Sequence, residues 1–149
     1  DYASRDDIFF VAIGHSNIQT KNKNYRLLPH TQDRGLLAKH LSATDIFLHP
    51  TPEDSFGLIS AEALSCGTPV VTYNIDALPE IVSHKEVGYV AEYENIDDAK
   101  NGIEYILNLS KGDYALMSTK AREKIVNNFS SEKMYAEYLA LYKEILKKN

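Results

Sequence analysis

Two acidic side chains follow the third apolar block of the chain, with seven residues between them. Asp54 lies in the acidic loop after that block, and Glu62 lies further along a stretch with helical spacing. A helix that begins near Ser55 presents unpaired backbone N–H groups, which form a natural seat for a phosphate. Gly57 lacks a Cβ, so a ligand can approach the backbone closely there. The segment therefore predicts an anion-binding helix start flanked by two carboxylates.

Each carboxylate also has a structural interpretation. Asp54 lies where the chain enters the helix, and composition alone favours a side chain that caps a free N–H group. Glu62 lies between Ile59, Ala63 and Cys66 on a largely apolar stripe. A carboxylate on such a stripe needs hydrogen-bond donors or water, because an unpaired buried charge is costly. Ligand hydroxyls or a local partner in the protein would serve equally well, and spacing alone leaves both alternatives open.

The pattern of apolar residues predicts the strands and helices that must position these residues. Short, nearly continuous apolar runs are typical of strands covered on both faces, as in a parallel sheet with helical crossovers. The runs are residues 8–13, 25–28, 45–49, 69–73 and 88–91. Helical spacing covers residues 33–43 and 57–66, the second of which is stopped by Gly67. This alternation predicts an α/β fold with a doubly wound, mostly parallel sheet, in which ligands bind beyond the carboxyl ends of the strands.

The last third of the chain has a purely helical pattern. Helices are predicted over residues 97–109, 113–128 and 131–147. In the last of them Met134, Tyr138, Leu141 and Ile145 form an apolar stripe. We expect this stripe to pack on a neighbouring surface, in preference to a membrane or coiled-coil role.

Composition excludes several classes of function. The chain has 149 residues, 16 Lys and Arg against 21 Asp and Glu, and a formal net charge of -5, which argues against nucleic acid as a partner. Cys66 is the single cysteine, and no apolar run has the length of a membrane helix. The five histidines, at positions 15, 30, 40, 49 and 84, show no metal-ligand spacing, so no metal is expected.

Several separated segments occur in an order and spacing that together are far more specific than one short motif. They are residues 43–50 (ATDIFLHP), 54–58 (DSFGL), 62–64 (EAL), 66–71 (CGTPVV) and 78–82 (LPEIV), followed by 128–130 (NFS) and a helix. This pattern resembles the retaining glycosyltransferases of family 4. It is similar to the C-terminal, nucleotide-sugar-binding half of their two-domain, Rossmann-like GT-B fold.

The resemblance implies roles for particular residues. Glu62 would hold the ribose hydroxyls, and Asp54 would face the transferred sugar, with Glu53 as the alternative carboxylate because the family usually has Glu at the first position. The backbone N–H groups of four consecutive residues would meet the pyrophosphate and sugar. These are Ser55, Phe56, Gly57 and Leu58. The loop with Pro29 and His30 would lie against the nucleobase, and Asp76-Ala77 stand where the family often has paired glycines.

The resemblance also implies the activity. The chain 1–149 would be one partial domain of an enzyme that transfers a sugar, with retention, from a nucleotide-diphosphate sugar to a glycan or lipid-linked acceptor. The acceptor-binding N-terminal domain and the first strand–helix unit, with the family's Arg and Lys, would precede it, and the isolated chain would be inactive. No other cofactor is implied.

The resemblance also implies a biological setting. We expect the full enzyme to act in the cytoplasm in the synthesis of a surface polysaccharide, and to associate weakly with the inner face of the membrane. Two alternatives stay open at this point. One is a non-catalytic nucleotide-binding or interaction domain, since fold does not guarantee function. The other is a nucleotide-sugar epimerase of GT-B design.

Overall fold

The computed structural model describes residue 2 and residues 5–14 and 22–147. His15 lies outside these ranges. Contacts divide the chain into two compact units, Asp1–Leu37 and Ala38–Asn149.

The first unit contains a two-stranded parallel sheet. Strand β1 (Phe10–Ile13) pairs with β2 (Tyr25–Leu28) in a register that places Phe10 opposite Tyr25. None of the strand residues is fully buried. Helix α1 (Arg34–Ser42) follows, and the Asp33 carboxylate caps it by accepting N–H bonds from Gly35 and Leu36, at 2.8 and 3.0 Å.

The second unit is built on a three-stranded parallel sheet in the order β3-β4-β5. The strands are β3 (Phe47–His49), β4 (Val70–Tyr73) and β5 (Gly88–Ala91), and the crossovers are α2 (Leu58–Ser65) and α3 (Leu78–Val82). All four residues of the central strand β4 are buried, as expected for a strand covered on both faces. The prediction of parallel strands joined by helical crossovers is confirmed.

Three helices complete the second unit: α4 (Ile96–Leu107), α5 (Lys111–Asn128) and α6 (Ser131–Lys147). Asn95 and Ser110 cap the first two by accepting from the backbone N–H groups of Asp98 and Asp113, at 3.0 and 3.1 Å. One apolar cluster joins the sheet to α4 and α5. Its buried members are Val71, Tyr73, Tyr89, Ala91, Ala99, Ile106 and Met117.

Helix α6 differs from the other two because it contributes no buried side chain. The apolar stripe predicted to pack on a neighbouring surface is about half exposed at all four of its positions, Met134, Tyr138, Leu141 and Ile145. The rest of the described chain leaves this stripe partly uncovered, since α4 and α5 already cover the core of the second unit, and its packing on a neighbouring surface stays a prediction. No helix among the described residues is long and apolar enough to cross a membrane.

Candidate functional site

The loop between β3 and α2 is folded around the side chain of Asp54. One carboxylate oxygen, Oδ1, accepts the backbone N–H groups of Phe56 at 3.1 Å and of Gly57 at 2.6 Å. Gly57 has a φ of 84°, in the left-handed region, and a Cβ there would lie 2.6 Å from Leu78 Cδ2. This loop conformation therefore requires glycine at position 57.

These bonds correct the expectation of four free N–H groups at the helix start. The helix begins at Leu58, and the N–H groups of Phe56 and Gly57 are already bound by Asp54. The capping interpretation of Asp54 is thus partly right, although the carboxylate closes the turn before the helix. Gly57, at the N-cap position, provides no side-chain cap for α2.

The first turn of α2 therefore keeps its free backbone donors. The N–H groups of Leu58, Ile59 and Ser60 have no acceptor within the helix, and none is recorded elsewhere in the described chain. The helix dipole adds partial positive charge at this end. This is the arrangement that favours an anion.

The second oxygen of Asp54 faces a histidine. Asp54 Oδ2 lies 3.7 Å from Nε2 of His49, the last residue of β3, whose Nδ1 lies 2.8 Å from Oγ of the fully buried Ser60. Burial lowers the pKa of His49, and the carboxylate of Asp54 acts in the opposite direction. The net lowering of the pKa favours the uncharged form of the ring at neutral pH.

An open cleft of about 740 Å³ lies beside this loop. It is lined by Glu53, Asp54, Ser55, Asp76 and Ala77. Asp76 Oδ2 accepts the backbone N–H of Asp54 at 3.1 Å, from a residue with a φ of 47°, a conformation that Asp tolerates better than most residues. The loop after β4 thereby holds the loop after β3.

Tyr93, which follows β5 in the chain, also contacts this loop. Its hydroxyl donates to the carbonyl oxygen of Pro52 at 3.4 Å. Burial raises the pKa of Tyr93, and the nearby carboxylates of Glu94, Glu53 and Asp76 add to this effect. Tyr93 therefore stays protonated and able to donate.

Glu62 lies on α2, where its side chain is half-buried. Its carboxylate makes no hydrogen bond or ion pair within the described part of the chain. Of the two alternatives left open by the sequence, a local protein partner is therefore not found among these residues. Glu53, by contrast, is exposed on the rim of the cleft.

The remaining predicted residues are more exposed. Phe56 is 43% exposed, with its ring edge-on to Phe129 at 6.1 Å between centroids, and Leu58 is 64% exposed. Pro29 and His30 belong to the first unit, where both are exposed directly after β2. Residues 53–58 and 62 all lie in the second unit, but only Glu53, Asp54 and Ser55 among them line the cleft.

Two residues that the fold brings to Asp54, His49 and Asp76, were not among the predicted site residues. Both lie at or just beyond the carboxyl end of a parallel strand, which is where ligands bind in such sheets. That position was the available signal. Among the described residues, no group of three or more His, Cys, Asp or Glu side chains could hold a metal ion.

The fold is that of GT-B glycosyltransferases. A glycosyltransferase from Rickettsia africae superposes with a TM-score of 0.78 at 22% identity, over 96% of this chain and 41% of that one. Anabaena Alr3699/HepE in complex with UDP-glucose gives a TM-score of 0.67 at 22% identity, over 79% of this chain and 32% of that one.

Residues 3–146 match the family Glycosyl transferases group 1, and the chain belongs to this family. It is 29% identical over 127 residues to N-acetyl-alpha-D-glucosaminyl L-malate synthase of Bacillus anthracis, covering 79% of the chain and 32% of that protein. It is 28% identical over 133 residues to the capsular polysaccharide biosynthesis glycosyltransferase CapM of Staphylococcus aureus, covering 87% and 33%. The chain spans about a third of the length of these relatives.

Proposed function

We propose that the chain is the nucleotide-sugar-binding half of a family 4 glycosyltransferase that transfers a hexose, with retention, to a glycan or lipid-linked acceptor. The observation that carries this proposal is Glu62, a half-buried carboxylate that has no partner among the described residues. It lies on the helix whose N-terminus is uncapped. Two adjacent hydroxyls, as in a ribose, would supply the donors that this carboxylate lacks. Among the relatives, CapM is named for capsular polysaccharide biosynthesis, which supports a surface glycan as product.

The donor's diphosphate would bind at the first turn of α2. The free N–H groups of Leu58 and Ile59, together with that of Ser55, point to an anion held by backbone donors and the helix dipole. Such fixed donors stabilise the charge that builds on a leaving diphosphate, without reorganisation during the reaction. We propose that this replaces a metal ion and that no further cofactor takes part.

Asp54 would act on the sugar. During transfer the anomeric carbon gains positive charge, and a carboxylate held in place beside it stabilises that charge. The bonds from Phe56 and Gly57 hold Oδ1, and the cleft with Asp76 and Ser55 offers room for the sugar. Glu53, on the exposed rim, would contact sugar hydroxyls instead.

The nucleobase would lie against Pro29 and His30. Solved GT-B structures of Anabaena HepE contain UDP and UDP-glucose, which makes the uridine nucleotide the first donor to test. The proposed setting is the cytoplasm, with weak association of the whole enzyme with the inner membrane face.

A titration tests this proposal. Full-length protein and the variant Glu62→Ala are titrated with UDP and UDP-glucose by calorimetry. Loss of charged hydrogen bonds to the ribose should weaken binding about 10- to 100-fold. Glu123→Ala, which removes an exposed carboxylate from α5, is the matched control and should bind as the wild type does. Unchanged affinity in Glu62→Ala would refute the ribose assignment.

Product analysis separates the remaining alternatives. Anomeric configuration of the product, read by NMR, checks retention. Tight nucleotide binding without sugar transfer would indicate a non-catalytic binding domain, and formation of an epimer of the donor without acceptor would indicate an epimerase.

A further inference from the structure

His49 is held on both sides by groups that belong to the proposed site. Its backbone is fixed within the sheet, since it pairs with Thr72 of β4 and its carbonyl oxygen accepts the Thr72 hydroxyl at 3.0 Å. Its ring lies between Ser60, in the first turns of α2, and Asp54, in the loop before that helix. The side chain of His49 is only 18% exposed, so water competes weakly for its nitrogens.

The two contacts select one tautomer of the ring. A proton on Nδ1 would turn the lone pair of Nε2 toward the carboxylate of Asp54, which is repulsive. With the proton on Nε2, a donor group instead of a lone pair lies 3.7 Å from Asp54 Oδ2, and the Ser60 hydroxyl can donate to Nδ1. Ser60 therefore fixes the tautomer that suits Asp54, as a hydrogen bond at one ring nitrogen commonly does for the other.

We infer that His49 is a positioning residue for Asp54. Its Nε2 lies 3.7 Å from the second carboxylate oxygen, which is too long for a hydrogen bond but close enough for electrostatic attraction, while the loop N–H groups hold the first oxygen. The inference rests on the proposed role of Asp54 toward the transferred sugar. Oδ1 is fixed by Phe56 and Gly57, but a carboxylate held through one oxygen can still rotate about that oxygen. The ring of His49 restrains that rotation and couples the loop to α2, where the diphosphate would bind.

A matched pair of variants separates the two contacts of the ring. In His49→Gln the side-chain amide reaches the position of Nε2, so a donor toward Asp54 is kept while the Ser60 contact is lost. In His49→Asn the shorter amide reaches only the position of Nδ1, so the Ser60 contact is kept while the donor toward Asp54 is lost. Thermal melting of both variants checks that each one is folded.

Steady-state release of UDP from UDP-glucose, with water accepting the glucosyl group to give free glucose, yields kcat and KM for full-length protein. We expect His49→Asn to lower kcat about tenfold with KM changed less than twofold, and His49→Gln to keep kcat within about threefold of the wild type. Equal kcat values for the two variants, or a parallel change in KM and kcat, would overturn the inference.

Imidazole NMR tests the same contact without any substrate. Long-range 1H–15N correlations should report the Nε2–H tautomer for His49, and Asp54→Asn should lower the His49 pKa further because the opposing carboxylate is gone. Ser60→Ala should introduce the second tautomer. An Nδ1–H tautomer in the wild type, or a pKa unchanged by Asp54→Asn, would refute the contact.

The binding and turnover measurements, together with the NMR spectra, show whether the inference or the proposed function has failed. Failure of the wild type to bind either UDP or UDP-glucose refutes the proposed donor site, whatever the NMR spectra show. Wild-type turnover with a fully active His49→Asn variant refutes only the role of His49.

Discussion

The two carboxylates of the site, eight positions apart in one loop–helix segment, are treated in opposite ways by the fold. Asp54 is held through Oδ1 by two backbone N–H groups, and its Oδ2 faces His49. Glu62 is half-buried with no recorded partner among the described residues. The difference teaches that Asp54 is organised before any ligand binds, whereas Glu62 retains unmet hydrogen-bonding capacity that a ligand can fill.

The largest effect is expected from a variant that removes the charge of Asp54 and keeps the shape of its side chain. In Asp54→Asn the amide oxygen can still accept from Phe56 and Gly57, so the loop should stay folded. Because the charge is lost, we expect turnover to fall about 10²- to 10³-fold, with little change in donor affinity. Steady-state kinetics combined with a UDP titration measures both. Equal losses in turnover and affinity would make Asp54 a turn residue only.

The second test disturbs the turn that holds Asp54. Gly57→Ala forces a Cβ into a left-handed position, 2.6 Å from Leu78 Cδ2, and should cost about 2 to 4 kcal/mol of unfolding free energy. Urea denaturation gives the value. Gly112→Ala is the matched control, since a Cβ there meets only Ser110 Oγ at 3.7 Å, and should be neutral or slightly stabilising.

The third test compares the two acids directly through stability. Asp54→Ala leaves the Phe56 and Gly57 N–H groups without their acceptor and should cost about 1 to 2 kcal/mol. Glu62→Ala removes a half-buried charge that has no partner in the described part of the chain, and it should leave the unfolding free energy unchanged or higher. Urea melts of both variants at pH 7 measure the difference. A larger loss for Glu62→Ala would reverse the comparison.

The smallest effect is the pH dependence contributed by His49. Its pKa is lowered in the folded state, so the folded protein binds fewer protons than the unfolded chain in this range. Stability from this group is therefore complete above about pH 6.5 and declines as the pH falls below that value. Between pH 7.5 and 5.5 the wild type should lose more unfolding free energy than His49→Gln. Identical losses would show that His49 is not buried as neutral imidazole.

Much of the fold was readable because strand and helix periodicity are local properties. The apolar runs at 25–28 and 88–91 coincide with β2 and β5, and the predicted helix over 131–147 coincides with α6. Its exposure was not predictable, because an apolar stripe reports that a helix can bury a face without showing whether a facing surface exists in the chain.

Some features of the candidate site could likewise be predicted from the sequence, and others could not. The spacing of Asp54 and Glu62, and the glycine at position 57, follow from residue types and order. The sequence by itself therefore determined which segment is predicted to bind an anion and hydroxyl groups, and that binding stays a prediction. Only the tertiary structure decided that His49 and Asp76 meet Asp54 and that Glu62 has no partner within residues 5–14 and 22–147. The reason is physical: the Asp54–Asp76 contact crosses 22 positions and depends on where parallel strands end and which way their side chains point, and no local pattern records that.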